Sequence, residues 1–135
     1  MTKEKKKFQQ LTSKGVCLVY ELLIKEGLVS FQAPQDSMHK VDAIISSVNG
    51  SFFGKQIYQT RKEKVVAYLY FLIKDHPFVD GNKRTAVISF SVACELNNLK
   101  VKKEYPLDAV AVFIEKIQES DHHFVISMIA KTIFE

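Results

Sequence analysis

The sequence has no apolar run long enough to cross a membrane. A membrane-spanning helix needs roughly 18 or more predominantly apolar residues, whereas the longest apolar stretch here is broken by Lys74-Asp75 and then by Pro77. The charged start of the chain is followed by no apolar segment of the kind found in secretory signals. These absences predict a cytoplasmic protein with no membrane partner.

Cysteine is scarce, with only Cys17 and Cys94 present. Two cysteines far apart, without a second pair, form neither a disulfide framework nor a cysteine-rich zinc site. Both lie inside apolar helical patterns, so we interpret them as small buried hydrophobic residues in a reducing compartment.

The positive charge of the chain is concentrated at its start. Residues 1–7 contain four lysines and one glutamate, a net +3 of the total +4. A basic terminus of this kind is typically frayed and solvated. We therefore expect no nucleic-acid partner, and a nucleic-acid-binding helical domain is the disfavoured alternative.

Internal repeats, low-complexity segments and Ser/Gly linkers are absent after the basic start, which predicts a single domain over residues 1–135. Helical periodicity recurs along the chain and predicts an all-α fold. Residues 51–59 instead combine aromatic residues with a glycine, which predicts a short β-hairpin or extended flap. The pattern predicts a first helix over residues 12–26, a second that opens at 34–36 and ends at 49–50, a third that is capped by Thr60 and ends near Asp75, and a fourth from about 82 to 96. Two amphipathic helices follow, with apolar positions from Leu107 to Ile117 and from Phe124 to Ile133.

The segment 82–96 has almost no polar face. Such a helix is typically surrounded by others. We therefore expect about six helices arranged around a central hydrophobic one, with this segment at the centre.

Four side-chain chemistries meet in the loop that precedes this helix. His76 can act as a base near neutral pH, and Asp80 offers a carboxylate to a divalent cation. Lys83 and Arg84 can bind phosphate, and Gly81 permits a close backbone approach. Because a helix starts here, free N–H groups and the positive end of its dipole add to an anion site.

A purely structural interpretation stays open at this level. Asp80-Gly81 alone forms a common turn, with Asn82 as a helix cap and both cations solvated. Residue spacing does not by itself establish catalysis.

The run His-Pro-Phe-Val-Asp-Gly-Asn-Lys-Arg at 76–84 resembles the signature of the Fic/Doc family. Phe53-Gly54-Lys55 and Ile57-Tyr58 resemble the family's flap, and the resemblance extends over about residues 35–100. It implies the all-α Fic fold with a short β-hairpin flap.

The resemblance also implies roles for individual residues. His76 matches the histidine that deprotonates a hydroxyl on a target protein, and Asp80 matches the acidic residue that holds Mg²⁺ on the nucleotide. Phe78 matches the aromatic residue that anchors the loop in the core. The donor implied is ATP or another nucleoside triphosphate.

Phosphate binding is implied for the residues that follow. Gly81 and Asn82 match the backbone anion hole and an amide hydrogen-bonded to phosphate, and Arg84 matches the phosphate-binding arginine. Lys83 joins this phosphate-binding set. The flap residues Phe53, Gly54 and Lys55 would lie beside the target segment in the manner of an added strand.

Two departures from AMP-transferring members point to the Doc type. Those members usually have Gly where this chain has Lys83, and a second Arg where it has Val87. The resemblance to Doc implies a protein kinase that transfers the terminal phosphate, with elongation factor Tu as the known target in that group. Protein AMP transfer and a catalytically silent Fic-fold binding protein remain as alternatives.

The inhibitory pattern of many family members, Ser/Thr-x-x-x-Glu-Gly/Asn, is not matched. Leu22 stands where Glu26-Gly27 would require a hydroxyl residue, and Glu95 is followed by Leu96. The resemblance to Doc therefore implies a toxin restrained by a separate antitoxin protein.

The remaining histidines carry no predicted site. His39 is expected on a helix surface, and the adjacent His122 and His123 point in different directions on a helix and so cannot close one metal site. Capping by Ser120 or Asp121 is the preferred reading of that segment.

Overall fold

Six helices and one hairpin make up the described part of the chain. The computed structural model describes residues 7–30 and 32–135, so most of the basic terminus predicted to fray lies outside it. The all-α expectation is confirmed, and no helix within the described ranges is both long and apolar enough to span a membrane. The elements are α1 Ser13–Lys25, α2 Ser37–Asn49, β1 Ser51–Phe52, β2 Lys55–Gln56, α3 Arg61–Lys74, α4 Asn82–Leu96, α5 Leu107–Lys116 and α6 His122–Thr132.

Short polar side chains start three of these helices. The Thr12 hydroxyl accepts from the Gly15 N–H at α1, and Thr60 does the same for Glu63 at α3. At α6 the Asp121 carboxylate accepts from the Phe124 N–H. Each bond satisfies a backbone donor that the first helical turn leaves free, so the local sequence sets where these helices begin.

The central helix is α3, and the prediction that α4 occupies the centre was wrong. Every residue from Lys64 to Tyr70 is buried, and α3 packs against α2, α4, α5 and α6. By contrast α4 leaves Ile88, Val92 and Leu96 well exposed. Apolar composition alone did not distinguish a surrounded helix from one with an unpartnered apolar face.

Helices α1 and α4 lie side by side and run in opposite directions. Beyond one end, the Asn97 side chain bonds the backbone N–H and C=O of Gln9 at 2.8 and 3.0 Å. At the other, Arg84 donates to the Leu28 carbonyl at 2.9 Å. The exposed apolar residues of the two helices therefore fall at matching heights, and we call them the α1–α4 strip: Leu18, Leu22, Ile88, Val92 and Leu96.

Hydrogen bonds hold both ends of α2. The Ser37 hydroxyl donates to the Pro77 carbonyl at 2.8 Å, and the Tyr68 hydroxyl donates to Asn49 at 3.1 Å. Helix α2 is thus antiparallel to α3, with its first residue beside the loop that leaves α3. The chain then enters the hairpin, in which β1 and β2 pair antiparallel.

Candidate active site

A strained loop carries the chain from α3 into α4. The backbone of His76 is left-handed, with φ of +45°, a conformation that costs on the order of 1–3 kcal/mol for a residue other than glycine. Two residues later the Phe78 ring is buried and stacks on Tyr20, with centroids 4.1 Å apart and planes 6° apart. Burial of this ring fixes the loop to the core.

Asn82 closes the loop from the other side. Its side-chain oxygen accepts from the Phe78 N–H at 3.0 Å, and its amide nitrogen donates to the Phe78 carbonyl at 2.9 Å. The same nitrogen lies 3.5 Å from His76 Nδ1, at the outer limit of a hydrogen bond. The residues between His76 and Asn82 are therefore held as a compact turn.

Gly81 is required both by its backbone and by space. Its φ is +74°, and a Cβ added there would lie 2.4 Å from Val29 Cγ2. No side chain in the described ranges caps the start of α4. Its first N–H groups therefore stay available, and they carry the positive end of the helix dipole.

A pocket of about 530 Å³ opens over this helix start. It contains two cations, Lys83 and Arg84, and two carboxylates, Asp80 and Glu115, beside His76. Lys83 Nζ lies 3.3 Å from both carboxylate oxygens of Glu115, which reaches in from α5. The pocket is lined by Leu28, His76, Val79, Asp80, Gly81, Asn82, Lys83, Arg84 and Glu115.

Two groups near the pocket have perturbed titration. Burial raises the pKa of the Tyr20 hydroxyl, and the nearby Asp80 carboxylate raises it further. Burial also raises the pKa of the Asp75 carboxyl, while His122 and His76 act in the opposite direction. Asp80 is therefore close enough to Tyr20 to act on its hydroxyl through charge, and Asp75, an exposed residue, directly precedes His76.

The donor set fits Mg²⁺ that arrives with a nucleotide. Among the residues that the structure describes, no group of three histidine, cysteine or acidic side chains is placed to hold a metal ion. Mg²⁺ usually takes one or two protein carboxylates and completes its shell with phosphate oxygens and water. Asp80 supplies one such carboxylate at the pocket.

A model of the Fic/DOC family matches residues 10–94. The matched region runs from before α1 almost to the end of α4 and includes the whole loop from His76 to Arg84. The chain belongs to the Fic/Doc family. Helices α5 and α6, and with them Glu115, lie beyond the matched region.

One curated relative is Toxin Doc of Mycolicibacterium smegmatis. It is 25% identical over 81 residues, which cover 60% of this chain and 62% of that protein. The similarity thus extends over less than two thirds of the relative's length. No solved structure matches the chain.

The structure brings most of the predicted Fic/Doc site residues to one pocket. His76 and Asp80 line it together with the residues at the start of α4. The Asn82 side chain was expected to hydrogen-bond to phosphate. In the structure that side chain is buried, and its amide bonds to the Phe78 backbone instead. What Asn82 can offer a phosphate is its backbone N–H.

The predicted flap residues lie outside this pocket, at the tip of the hairpin. Phe53 and Gly54 form its two-residue turn, with φ of +51° and +80°, and Lys55 starts β2. Both central residues at positive φ correspond to a type I′ turn, which joins antiparallel strands without splaying them.

Two sets of contacts escaped the sequence analysis. Glu115 gives no local signal, because a glutamate on the polar face of an amphipathic helix is ordinary. His123 stacks on Tyr58, with centroids 5.4 Å apart, and its Nε2 lies 3.2 Å from the Ile57 carbonyl. These contacts fix the end of the hairpin against α6, and only the tertiary fold brings them together.

Truncation of Phe78 should destabilise the protein strongly. The ring is 4% exposed and stacked on Tyr20, so Phe78→Ala should lower the free energy of unfolding by about 3–5 kcal/mol. Phe124, which is 58% exposed, provides the matched control, and Phe124→Ala should cost much less. Urea unfolding followed by circular dichroism measures both. Equal losses in the two variants would contradict the anchoring role.

Proposed function

We propose that this chain phosphorylates a hydroxyl side chain on a target protein, with ATP as donor. The observation that carries the proposal is the convergence of His76 and Asp80 with the uncapped, cationic start of α4 in one pocket. Members of the Fic/Doc family are typically transferases, and the relative in Mycolicibacterium smegmatis is named as a toxin. Elongation factor Tu is our first candidate target.

The reaction assigns a separate task to each side of the pocket. The N–H groups at the start of α4 and the Arg84 guanidinium bind phosphate oxygens. His76 accepts the proton of the target hydroxyl while that oxygen attacks the γ-phosphorus. The bond between the γ-phosphorus and the β–γ bridging oxygen breaks, and its electron pair leaves with ADP.

Asp80 is the residue that would hold Mg²⁺. Bound there, the cation would neutralise charge on the phosphates. The pocket's own side chains sum to no net charge, with Lys83 and Arg84 opposing Asp80 and Glu115. A nucleotide that arrives with a divalent cation therefore brings less charge to be matched by the protein.

Lys83 and Val87 favour phosphate transfer over AMP transfer. Lys83 stands on the pocket wall, paired with Glu115, and its bulk and charge occupy the place that glycine leaves free in AMP-transferring members. Val87 is partly buried and offers no second guanidinium. A nucleotide bound with its γ-phosphate toward His76 needs neither the free space of a glycine at position 83 nor a second arginine at position 87. Protein AMP transfer is the alternative, since the same base and cation serve it.

A catalytically silent binding protein is the remaining alternative. It would have no use for a solvent-exposed His76 held in a strained backbone next to Asp80. Backbone strain of this kind concentrates at functional sites, and this argument favours an enzyme.

The α1–α4 strip is our candidate surface for an antitoxin. It exposes five apolar side chains on adjacent helices, and Arg84, one turn before Ile88 on α4, lines the pocket. A partner helix laid along this strip would bury apolar surface and reach the phosphate-binding residues at once. The missing inhibitory pattern leaves that restraint to a separate protein.

Loss of the proposed base should abolish transfer without unfolding the protein. His76→Ala should lower the transfer rate at least about 100-fold, because no proton acceptor then faces the hydroxyl. His39→Ala removes an exposed histidine on α2 and should leave the rate unchanged. Label transfer from γ-labelled ATP to proteins in a lysate measures both. Near wild-type transfer by His76→Ala would remove the general-base assignment.

Lys83 provides the test between the two transfer reactions. Lys83→Gly opens the wall and should weaken labelling from γ-labelled ATP while exposing some labelling from α-labelled ATP. Lys83→Met keeps most of the bulk and removes the charge, so it should show no α-label. Wild-type protein that transfers only α-label would overturn the kinase proposal in favour of AMP transfer.

Expression of the chain alone should slow growth, and co-expression of the small protein encoded beside it should relieve the effect. Val92→Asp places a charge on the α1–α4 strip, where Val92 is 44% exposed, and should weaken that relief while transfer activity persists. Met128→Asp on α6, at a site 38% exposed, is the control. Harmless overexpression of a chain that labels host proteins would contradict the toxin proposal.

A further inference from the structure

A second groove lies between α2 and the last turn of α3. Its volume is about 410 Å³, and its lining residues are Lys40, Ala43, Ile44, Ser47, Phe71 and Asp75. The middle is apolar, and the two charged residues, Lys40 and Asp75, lie toward the end where α2 begins and α3 stops. None of these residues lines the pocket at the start of α4, so the groove has its own walls.

The groove extends from the loop that carries His76 toward the β1–β2 hairpin. Asp75 immediately precedes His76, which places one end beside the proposed base. At its other side Phe71 makes an edge contact with Tyr58, with centroids 6.5 Å apart, and Tyr58 lies two residues after the hairpin. A chain that reached from the flap to His76 would therefore pass over the groove.

One wall is α2, and the other includes Phe71 of α3, which is supported from behind by Tyr58. Hydrogen bonds from Ser37 and to Asn49 hold α2 at its two ends. Tyr58 is itself fixed by His123, whose ring stacks on it and whose Nε2 lies 3.2 Å from the Ile57 carbonyl. A preformed cleft requires little ordering when a ligand binds.

The flap tip carries aromatic side chains that the fold does not use. Phe52 is 68% and Phe53 is 91% exposed, and the two rings contact each other. Phe53 also has φ of +51°, a conformation unfavourable for a bulky residue. An exposed ring in strained backbone contributes little to folding, which points to a contact with another protein.

We infer that the groove is a side-chain subsite for the protein target and takes an apolar residue two positions from the modified hydroxyl, an inference that rests on the proposed transfer reaction. The target segment is extended and pairs its backbone with the free edge of the hairpin. In an extended chain, residues i and i+2 point the same way. When the hydroxyl residue faces His76, its neighbour two positions away therefore faces the groove.

The chemistry of the lining decides the class of side chain. Ala43, Ile44 and Phe71 offer apolar contact in the middle, while Lys40 at one end is engaged by Asp36 at 3.5 Å. Asp75, which also lines the groove, is solvent-exposed, so the apolar middle of the groove decides its preference. Leucine, isoleucine, methionine or phenylalanine should therefore be preferred over charged residues.

Ala43→Trp tests the subsite, and Ala109→Trp is its matched control. Both alanines are exposed on a helix and line open grooves, of about 410 Å³ at Ala43 and 360 Å³ between α5 and α6 at Ala109. The assay presents a peptide library with a central serine or threonine, randomised at flanking positions, together with γ-labelled or α-labelled ATP. Kd for ATP is measured in parallel by calorimetry.

The wild-type chain and Ala109→Trp should select apolar residues two positions from the acceptor by about tenfold or more, the discrimination expected of a hydrophobic pocket. Ala43→Trp should lose this selection while its Kd for ATP stays unchanged. Selection that is absent in the wild type, or that survives in Ala43→Trp, would overturn the subsite. Absence of label from either nucleotide in all peptides and lysate proteins would instead overturn the transfer reaction itself, and the subsite with it.

Discussion

The two hydrogen bonds between the Asn82 side chain and the Phe78 backbone hold the site in shape. They close the loop just as α4 begins, so the helix start and the proposed base are set by one local unit. The Phe78 ring then joins that unit to the core through Tyr20. Because both polar groups of Phe78 are buried, loss of the amide would leave a donor and an acceptor unpaired.

A fixed loop allows the positive end of α4 to serve as a binding surface. Gly81 has no side chain to cover the first N–H groups, and Val29 packs where a Cβ would otherwise lie. The anion site therefore depends on backbone exposure as much as on Arg84 and Lys83. Glu115, on α5, pairs with Lys83 and offsets its charge. A helix outside the family match therefore adjusts the charge of the site within it.

Local sequence predicted the helices well, because the signals that start and stop them are local. Thr12, Thr60 and Asp121 cap their helices through bonds to N–H groups three residues ahead, and Pro77 ends α3 by removing a donor. The position of α4 in the bundle was predicted wrongly. Some apolar residues of α4 face the core and others belong to the exposed α1–α4 strip. The amino-acid composition of the helix does not distinguish these two groups.

The sequence by itself determined the set of helices, the Fic/Doc signature and the chemistry of the residues from His76 to Arg84, because these depend on neighbours in the chain. Only the tertiary structure decided what each side chain contacts. The Asn82 amide binds the loop, Glu115 reaches Lys83, and the hairpin is fixed by His123. Apart from the Asn82 bond, these contacts join residues distant in sequence, and such pairings follow from the way the apolar faces pack rather than from any local pattern.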